Sequence, residues 1–546
     1  MASLNWIGKD AVVNHDREVP FKLLHKVPSA SVGKESKNLV IHGDNLEALK
    51  ALMPFYKGKV KCIYIDPPYN TGNEGWVYND KVNSPKIQEW IKKVVGREGE
   101  DLTRHDKWLC MMYPRLRLLR DLLTENGVIF ISIDDNEHCN LRSLMDEIFG
   151  IGNFVVSFPR RTKSAGKTTD AVSANNDYVL VFAKNKKSVV FASLAIDDKA
   201  YKYKDEFFKE RGSFALSQTL DYDSLSYSKS LDYELTLDGK RYYPGGRKDK
   251  FLSRKAGNHR SSDWAWRWSK ELVNFGHKNG FLVVKKGKNG EPRIYTKTYY
   301  KVVIEKVNGS YQIIPIGRTK KLSTLDLTDS QYSNDVAKKD LRGIFGASAE
   351  FAYPKPISLI QYLIRAVSNT RNSIILDSFS GSGTTGHAVL DLNKKDGGNR
   401  KFIMVEMEDR VAKNITAERI KRAIKKYGYE DGFEFCELAK PLFNEKGQIN
   451  ERCSYTELAT YIYFTETQTN AEKKNIKSPL VGVSGGTAYY LLYEGKGKND
   501  LTRAALTKLK IKQPAVVYAD RCLIDEDELR EKGVVFKQIP YEIKVY

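Results

Sequence analysis

Cysteine is scarce in this sequence, and its six residues are widely spaced. They stand at positions 62, 110, 139, 436, 453 and 522, and no two form a C-x-x-C pair. Zinc sites and the disulfide frameworks of small secreted domains both need closely and regularly spaced cysteines. The sequence therefore predicts no metal site and no disulfide framework, and its thiols suit a reducing cytoplasm.

Long apolar runs are also lacking. No stretch approaches the roughly 20 apolar residues that a membrane-spanning helix needs. The first residues, from Met1 to Trp6, do not form the apolar stretch of a signal peptide. No internal repeat or long low-complexity tract occurs either. We therefore expect a soluble, cytoplasmic protein without a membrane partner.

Acidic residues are outnumbered by basic ones. The 68 Asp and Glu residues face 89 Lys and Arg residues, which gives a net charge of +21 and a sequence pI near 9.3. This balance favours a polyanionic partner over an acidic small molecule, although a ribosomal or RNA-binding protein would show the same charge. With 546 residues, 41% of them hydrophobic, the chain can form two or three domains with a large core.

The apolar run at 60–65 is followed by Asp66, Pro67, Pro68 and Tyr69. The run reads as a buried parallel strand, and two prolines cannot continue its hydrogen-bonded ladder, so the chain must stop as a rigid corner. Such a corner offers carboxylate oxygens, an unpaired Pro67 carbonyl and a flat ring. This set suits a planar substrate with an exocyclic amine, such as adenine. A proline turn at the surface would look the same, so the motif needs a partner.

A second motif far along the chain supplies that partner. A short strand at 373–377 leads into a glycine-rich turn and a helical pattern, an arrangement that exposes backbone N–H groups to a ligand. A further strand ends at Glu406, where an acid can accept both hydroxyls of a ribose. The turn also satisfies the loose GxGxxG pattern of nicotinamide and flavin enzymes. Only a methyl donor, however, gives the Asp-Pro-Pro-Tyr corner a chemical role.

The two motifs, in this order, resemble the β class of amino-methylating DNA methyltransferases. Segments 43–49, 63–72 and 127–137 resemble more specifically the Mod subunit of type III restriction-modification systems. Residues 351–356, Phe-Ala-Tyr-Pro-Lys-Pro, are similar to that family's motif just upstream of the cofactor turn. The resemblance covers roughly residues 38–185 and 345–440.

The resemblance implies a fold and an activity. The fold would be α/β, with a Rossmann-like, mostly parallel sheet of the S-adenosylmethionine-dependent methyltransferase type. The activity would be sequence-specific methylation of adenine N6 in double-stranded DNA, by base flipping, with S-adenosylmethionine as cofactor. A helicase-nuclease restriction subunit would be a partner, and we expect a homodimer. Cytosine-N4 methylation, RNA methylation and a non-catalytic DNA-binding subunit remain as alternatives.

Site residues follow from the motifs. We assign the target base to Asp66, Pro67, Pro68 and Tyr69. By resemblance, the cofactor is assigned to Asp44, Lys355, Pro356, Asp377, Phe379, Gly381, Gly383, Thr384 and Glu406. A helix N-cap would explain Asp44 nearly as well. The segment 160–177 reads as a basic loop that is either solvated or grips DNA phosphates through Arg160, Arg161, Lys163 and Lys167.

The sequence divides into five regions. Residues 1–37 form an arm, and residues 38–190 and 346–440 form the two halves of the catalytic domain. Residues 191–345, rich in tyrosine and tryptophan, predict a β-rich insertion in which, by resemblance, target recognition lies. Residues 441–546 predict a small α/β appendage for docking or dimerisation.

Overall fold

The computed structural model describes most of the chain. The described residues are 4–33, 36–71, 104–163, 172–195, 200–287, 290–346, 351, 353–442, 449, 453–469, 476, 479–495 and 497–539. The predicted phosphate contact at Lys167 lies outside them. The chain divides into two compact units, one of Met1–Ala192 with Leu322–Tyr546 and one of Ser193–Lys321.

The larger unit is built on a nine-stranded sheet. Its strands in chain order are β1 (Lys22–Lys26), β2 (Leu39–His42), β3 (Val60–Ile65), β4 (Leu123–Ile133), β5 (Phe154–Arg161), β6 (Asn176–Ala183), β7 (Ile374–Asp377), β8 (Lys401–Glu406) and β9 (Glu434–Pro441). In space the order is β1-β9-β2-β8-β7-β3-β4-β6-β5. Neighbours from β9 to β4 are parallel, whereas β1 pairs antiparallel with β9, and β6 with both β4 and β5. The predicted α/β class with a mostly parallel sheet is confirmed.

Helices accompany this sheet, and its central strands are mostly apolar and buried. The helices are α1 (Asn45–Tyr56), α2 (Arg104–Leu122), α3 (His138–Phe149), α4 (Asn334–Phe345), α5 (Ile357–Ala366), α6 (Thr384–Asp396), α7 (Glu418–Tyr427) and α8 (Tyr455–Thr467). All six residues of β3 are buried, as expected of a parallel strand with both faces covered. Among the described residues, no helix combines the length and the apolar character that crossing a membrane requires.

Shorter helical segments connect these elements. They are Lys9–Val12, His15–Glu18, Pro28–Ala30, Ile151–Asn153, Lys186–Ser188, Asp326–Thr328, Ser330–Tyr332, Asp409–Val411 and the π-helical turn Ala412–Ala417. The π-helical turn leads directly into α7 and lies beside the glycine-rich turn after β7, because Thr416 Oγ1 donates to the Gly381 carbonyl at 2.5 Å.

The order of the strands in the sheet brings the proline corner and the glycine-rich turn together. β3 and β7 are neighbours although more than half of the chain separates them, and Ile375 pairs with Cys62 while Leu376 pairs with Ile63. β8 lies on the other side of β7 and runs parallel to it. The carboxyl ends of all three strands therefore meet at one edge of the sheet, which is where ligands bind in open α/β sheets.

The smaller unit consists mainly of short antiparallel strands. They are Leu194–Ala195, Phe214–Thr219, Asp221–Ser224, Leu235–Leu237, Lys240–Tyr242, Asp263–Trp266, Leu282–Lys286, Pro292–Tyr299, Val302–Val307, Ser310–Pro315 and Thr319–Lys320, with helices Phe208–Arg211, Lys248–Lys255 and Lys270–Lys278. Trp266 and Tyr299 are buried in its small cores. Several of its aromatic residues thus serve packing within the unit.

Residues 322–345, which we assigned to the insertion from sequence, belong to the larger unit. The reason is a set of hydrogen bonds to the end of β5, where the N–H of Asn334 donates to the carbonyl of Thr162 at 2.9 Å. The side-chain oxygen of Asn334 accepts from Arg160 at 3.1 Å.

The C-terminal region forms a four-stranded sheet of its own within the larger unit. Its strands are Leu480–Ser484, Thr487–Leu491, Ala515–Ala519 and Val534–Gln538, joined by the short pair Asp500–Leu501 and Arg521–Cys522 and by helices Arg503–Lys508 and Glu526–Glu531. Its role in docking or dimerisation stays a prediction.

Candidate active site

A cavity of about 1010 Å³ opens where β3, β7 and β8 end. The residues predicted from sequence that line it are Asp66, Pro67, Pro68, Tyr69, Lys163, Lys355, Asp377, Phe379, Gly381, Thr384 and Glu406. The predicted residues that are described but do not line it are Asp44, Arg160, Arg161, Pro356 and Gly383. Both distant motifs thus contribute to one cavity.

The proline corner is held from behind by buried polar contacts. Trp108 on α2 donates from Nε1 to the Pro68 carbonyl at 2.8 Å. Asn70, with a left-handed φ of 56°, donates to the fully buried carboxylate of Glu137. Glu137 also bonds His105 at 2.7 Å. These contacts fix the backbone of the proline corner.

Asp66 has two different carboxylate oxygens. Oδ2 accepts from the ammonium of Lys355, whereas Oδ1 is shielded from solvent and has no hydrogen-bond partner among the described residues. None of those residues donates to the Pro67 carbonyl either. Because buried polar atoms are almost always paired in folded proteins, these two oxygens are available to donors of a ligand in the cavity.

Tyr69 presents a neutral ring beside Asp66. Its hydroxyl donates to Asp177 at 3.1 Å, and burial raises its pKa well above the usual range. The ammonium of Lys355 lies 5.1 Å from the ring centroid. An uncharged, fixed aromatic face is suited to stacking against a planar ligand.

The prediction that Arg160 contacts phosphate is wrong. Arg160 lies in β5 instead of a loop and is 1% exposed. Its guanidinium makes a bidentate pair with Asp177 at 2.7 and 2.5 Å. Burial by itself would lower the pKa of Arg160, but Asp177 outweighs it and the net pKa is raised. Arg161, half-buried at the end of the same strand, and exposed Lys163 keep the predicted role as predictions.

Arg160→Ala should destabilise the protein by about 3–5 kcal/mol, because Asp177 would stay buried without its charged partner. Lys163→Ala is the control, since exposed Lys163 should change the free energy of unfolding by no more than about 0.5 kcal/mol. Denaturant unfolding of both variants measures the difference. Equal stabilities would show that the buried pair is not needed for folding.

Asp377 closes the other half of the cavity. Its carboxylate accepts from Thr385 Oγ1 at 2.5 Å and from the Phe379 N–H at 3.1 Å. Burial raises the pKa of Asp377 to about 7, and these hydrogen bonds, which lower it, offset only part of the shift. A cationic ligand nearby would favour its ionised form.

The glycine-rich turn is tied to Glu406 at the end of β8. The Gly381 N–H donates to Glu406 Oε2 at 2.8 Å, and the Glu408 N–H donates to Oε1 at 3.1 Å. Burial raises the pKa of Glu406 above its usual value. Each carboxylate oxygen has a second lone pair, so Glu406 can still accept hydrogen bonds from hydroxyl groups in the cavity.

Gly381 and Gly383 both adopt left-handed backbone, with φ of 45° and 73°. A Cβ on Gly381 would lie 3.1 Å from Phe351 Cζ, and one on Gly383 would lie 3.0 Å from the Thr416 carbonyl oxygen. Gly383 therefore shapes the turn from outside the cavity lining.

Arg419 on α7 holds this turn through hydrogen bonds from its guanidinium. The sequence motifs did not identify Arg419 as a site residue. Its Nη1 donates to Ser382 Oγ at 3.0 Å and to Thr384 Oγ1 at 2.7 Å. Burial lowers its pKa to about 10. Arg419 belongs to a strongly basic helix, so its charge pattern resembled that of an ordinary solvent-exposed face.

The sequence motifs also failed to identify several other residues that line the cavity. They include Asp134, Asn136, Asn334, Tyr353, Met407 and Val411. Asp134, Asn136 and Tyr353 lie inside the segments that carried the family resemblance, which was the available signal. The remainder follow β8 or enter from α4, and no local pattern marked them.

The structure supports the helix-cap alternative for Asp44. Its Oδ1 accepts from the N–H groups of Leu46 and Glu47 at 2.9 and 3.0 Å, and Arg115 contacts Oδ2 at 3.3 Å. Pro356 stands at the N-cap of α5. Both residues therefore position helices beside the cavity.

One group of potential metal ligands occurs among the described residues. It consists of His42, Asp409 and Glu437. The ammonium of Lys413 lies 2.6 Å from Asp409 and 3.0 Å from Glu437. Since a lysine already neutralises these carboxylates, the group gives no support for a metal site.

Comparison of the sequence with known proteins identifies a family. A family model described as DNA methylase (N6_N4_Mtase) matches residues 60–419. The type III restriction-modification enzyme EcoPI Mod subunit of Escherichia phage P1 is 32% identical over 464 residues, 78% of this chain and 68% of that protein. The StyLTI Mod subunit of Salmonella typhimurium is 31% identical over 438 residues, 76% of this chain and 60% of that protein.

Solved structures resemble the chain more distantly. A putative DNA modification methylase from Thermus thermophilus, complexed with S-adenosyl-L-methionine, is 12% identical with a TM-score of 0.30, and the match covers 74% of this chain and 99% of that one. The family assignment rests on the sequence matches, which extend over well more than half of the chain. This chain therefore belongs to the N6_N4_Mtase family of DNA methylases.

Proposed function

We propose that this chain transfers a methyl group from S-adenosylmethionine to N6 of adenine in double-stranded DNA, as the modification subunit of a type III restriction-modification system. The observation that carries the proposal is the shared cavity. It places the unpaired oxygen of Asp66 and the ring of Tyr69 in the same space as the glycine-rich turn and Glu406. Adenine is proposed instead of cytosine because this chain is similar to two Mod subunits of type III systems, the group whose resemblance implies adenine-N6 methylation.

The cavity residues fit S-adenosylmethionine, whose sulfonium supplies an already activated methyl group. Glu406 has lone pairs for ribose hydroxyls, and Gly381 leaves room where a Cβ would press against Phe351. The buried carboxyl of Asp377, whose pKa burial raises to about 7, would be held in its ionised form by the positive charge of the sulfonium. We assign the cofactor to this half of the cavity.

The residues of the corner would hold the target base. Asp66 Oδ1 and the Pro67 carbonyl would accept the two N–H donors of the exocyclic amine, while Tyr69 stacks on the base. These hydrogen bonds draw the nitrogen toward tetrahedral geometry and stabilise the positive charge that develops on it. Extrusion of the base costs a few kcal/mol, which stacking and polar contacts would offset.

The remaining assignments stay predictions. Arg161 and Lys163 would contact the DNA backbone near the cavity, and the smaller unit would read the target sequence. A helicase-nuclease restriction subunit, a homodimeric state and a cytoplasmic location belong to the same proposal.

Methyl transfer by the purified chain tests the function directly. The chain is incubated with tritiated S-adenosylmethionine and either genomic DNA or total RNA, and the digested nucleosides are separated and weighed. We expect label in N6-methyl-2′-deoxyadenosine, and sequencing of the undigested methylated DNA should place the modified base in one recurring sequence. Label only in N4-methyl-2′-deoxycytidine, label only with RNA, or no transfer at all would each contradict the proposal.

A further inference from the structure

The side chain of Lys355 points to the base half of the cavity. It is buried, its ammonium donates to Asp66 Oδ2, and the same ammonium lies over the ring of Tyr69. One cation thus contacts both of the groups to which we assign the target base.

In the part of the chain that the structure describes, Lys355 contacts the cofactor half of the cavity through its backbone and not through its side chain. Among the described contacts, Lys355 meets the glycine-rich turn through its backbone, where its carbonyl accepts from Thr384 Oγ1 at 3.1 Å. A substitution of the side chain keeps this contact. Motif position alone had assigned Lys355 to the cofactor, and the direction of its side chain argues against that role.

We propose that Lys355 is a positioning residue for the target base. Its ammonium occupies Oδ2 of Asp66, fixes the direction of the carboxylate, and so leaves Oδ1 as the acceptor for the amine of the base. This inference rests on the proposed function. It adds that Lys355 determines which oxygen of Asp66 accepts from the base.

The charges around Asp66 explain why a cation is needed there. Two further buried carboxyl groups, Asp377 and Glu406, line the same cavity. Arg160 is already paired with Asp177. Tyr64 and Tyr69 beside Asp66 are neutral. The other charged residues that line the cavity are Asp134, Asp135, Lys163 and Glu408.

Removal of the lysine would leave the Asp66 carboxylate without the partner that fixes its direction. Oδ2 would have lost its donor, and the side chain could rotate about its Cβ–Cγ bond. Oδ1 would then no longer be held where the amine of the base must donate. A misplacement of about 1 Å in such a group can lower a rate about a hundredfold.

The test compares Lys355→Met with Lys355→Arg in the full chain, using the single-turnover rate of methylation of an adenine-containing duplex. Met is a flexible apolar side chain without charge, whereas Arg retains the ion pair. For Lys355→Met we expect the rate to fall by about a hundredfold, because a misplaced acceptor no longer holds the amine in line. Its affinity for S-adenosylmethionine, measured by calorimetry, should stay within about threefold of the wild type. Lys355→Arg should retain most of the wild-type rate.

Two outcomes would overturn the inference. A rate loss in Lys355→Arg as large as that in Lys355→Met would leave Lys355 a purely structural role. A large loss of cofactor affinity would make it a cofactor-binding residue after all. Lys355→Gln, judged by the same criteria, replaces the Met variant if that variant does not fold. Absence of adenine methylation by the wild type would instead refute the proposed function.

Discussion

Replacing Asp66 by alanine should lower the rate of methyl transfer to duplex DNA by about a thousandfold, while S-adenosylmethionine still binds. The variant loses both the free acceptor Oδ1 and the partner of Lys355. Loss of one preorganised group at a developing charge typically costs a factor of about 100 to 1000, and the unpaired lysine adds to it. Rapid-quench methylation with adenine-containing duplex gives the rate, and calorimetry gives the cofactor affinity.

Asp431→Ala is the matched control for this variant. Asp431 forms a similar, partly buried ion pair with Lys401 at the start of β8, outside the cavity lining. It should lose stability to a comparable extent and retain the methylation rate. Wild-type rates in Asp66→Ala would exclude Asp66 from base binding, whereas an equal loss in both variants would point to a general effect on folding.

Gly381→Val should weaken binding of S-adenosylmethionine by about a hundredfold. A β-branched residue is strongly disfavoured at the φ of 45° found here. Its Cβ would also lie 3.1 Å from Phe351 Cζ, and a strained turn would misplace the N–H that donates to Glu406. A hundredfold change corresponds to about 2.8 kcal/mol, and titration calorimetry measures it.

Gly397→Val controls for the backbone strain alone. Gly397 ends α6 with a φ of 66°, and nothing lies within 4 Å of its would-be Cβ. Both variants should therefore lose stability, but only Gly381→Val should lose cofactor affinity. Unchanged affinity in Gly381→Val would mean that the cofactor binds away from this turn.

Short-range patterns allowed much of the fold to be predicted. The strand Val60–Ile65 was predicted with its observed bounds, because a β-branched run ending in two prolines has no other regular conformation available. The turn after β7 was recognisable for a similar reason, since its glycines adopt backbone angles that other residues avoid. The order of the two motifs along the chain then led to the family resemblance, which supplied the expected cofactor and reaction.

Charged residues were harder to interpret. Arg160 and Arg161 are adjacent in a basic stretch, yet one is buried against Asp177 and the other is half-buried at a strand end. Arg419 looked like one more cation on a basic helix, and it holds the cofactor turn from below. The sequence gives the charge of each side chain. Whether that side chain is buried, and which residue it pairs with, depends on the elements that pack against it.

By itself, the sequence determined the α/β class, the proline corner and the glycine-rich turn, because backbone angles and hydrophobic periodicity act over a few residues. Only the tertiary structure decided that β3 lies beside β7, that the ammonium of Lys355 pairs with Asp66, and that Asp44 caps a helix. Those outcomes depend on contacts between residues far apart in the chain, where neither spacing nor composition specifies the direction of a side chain.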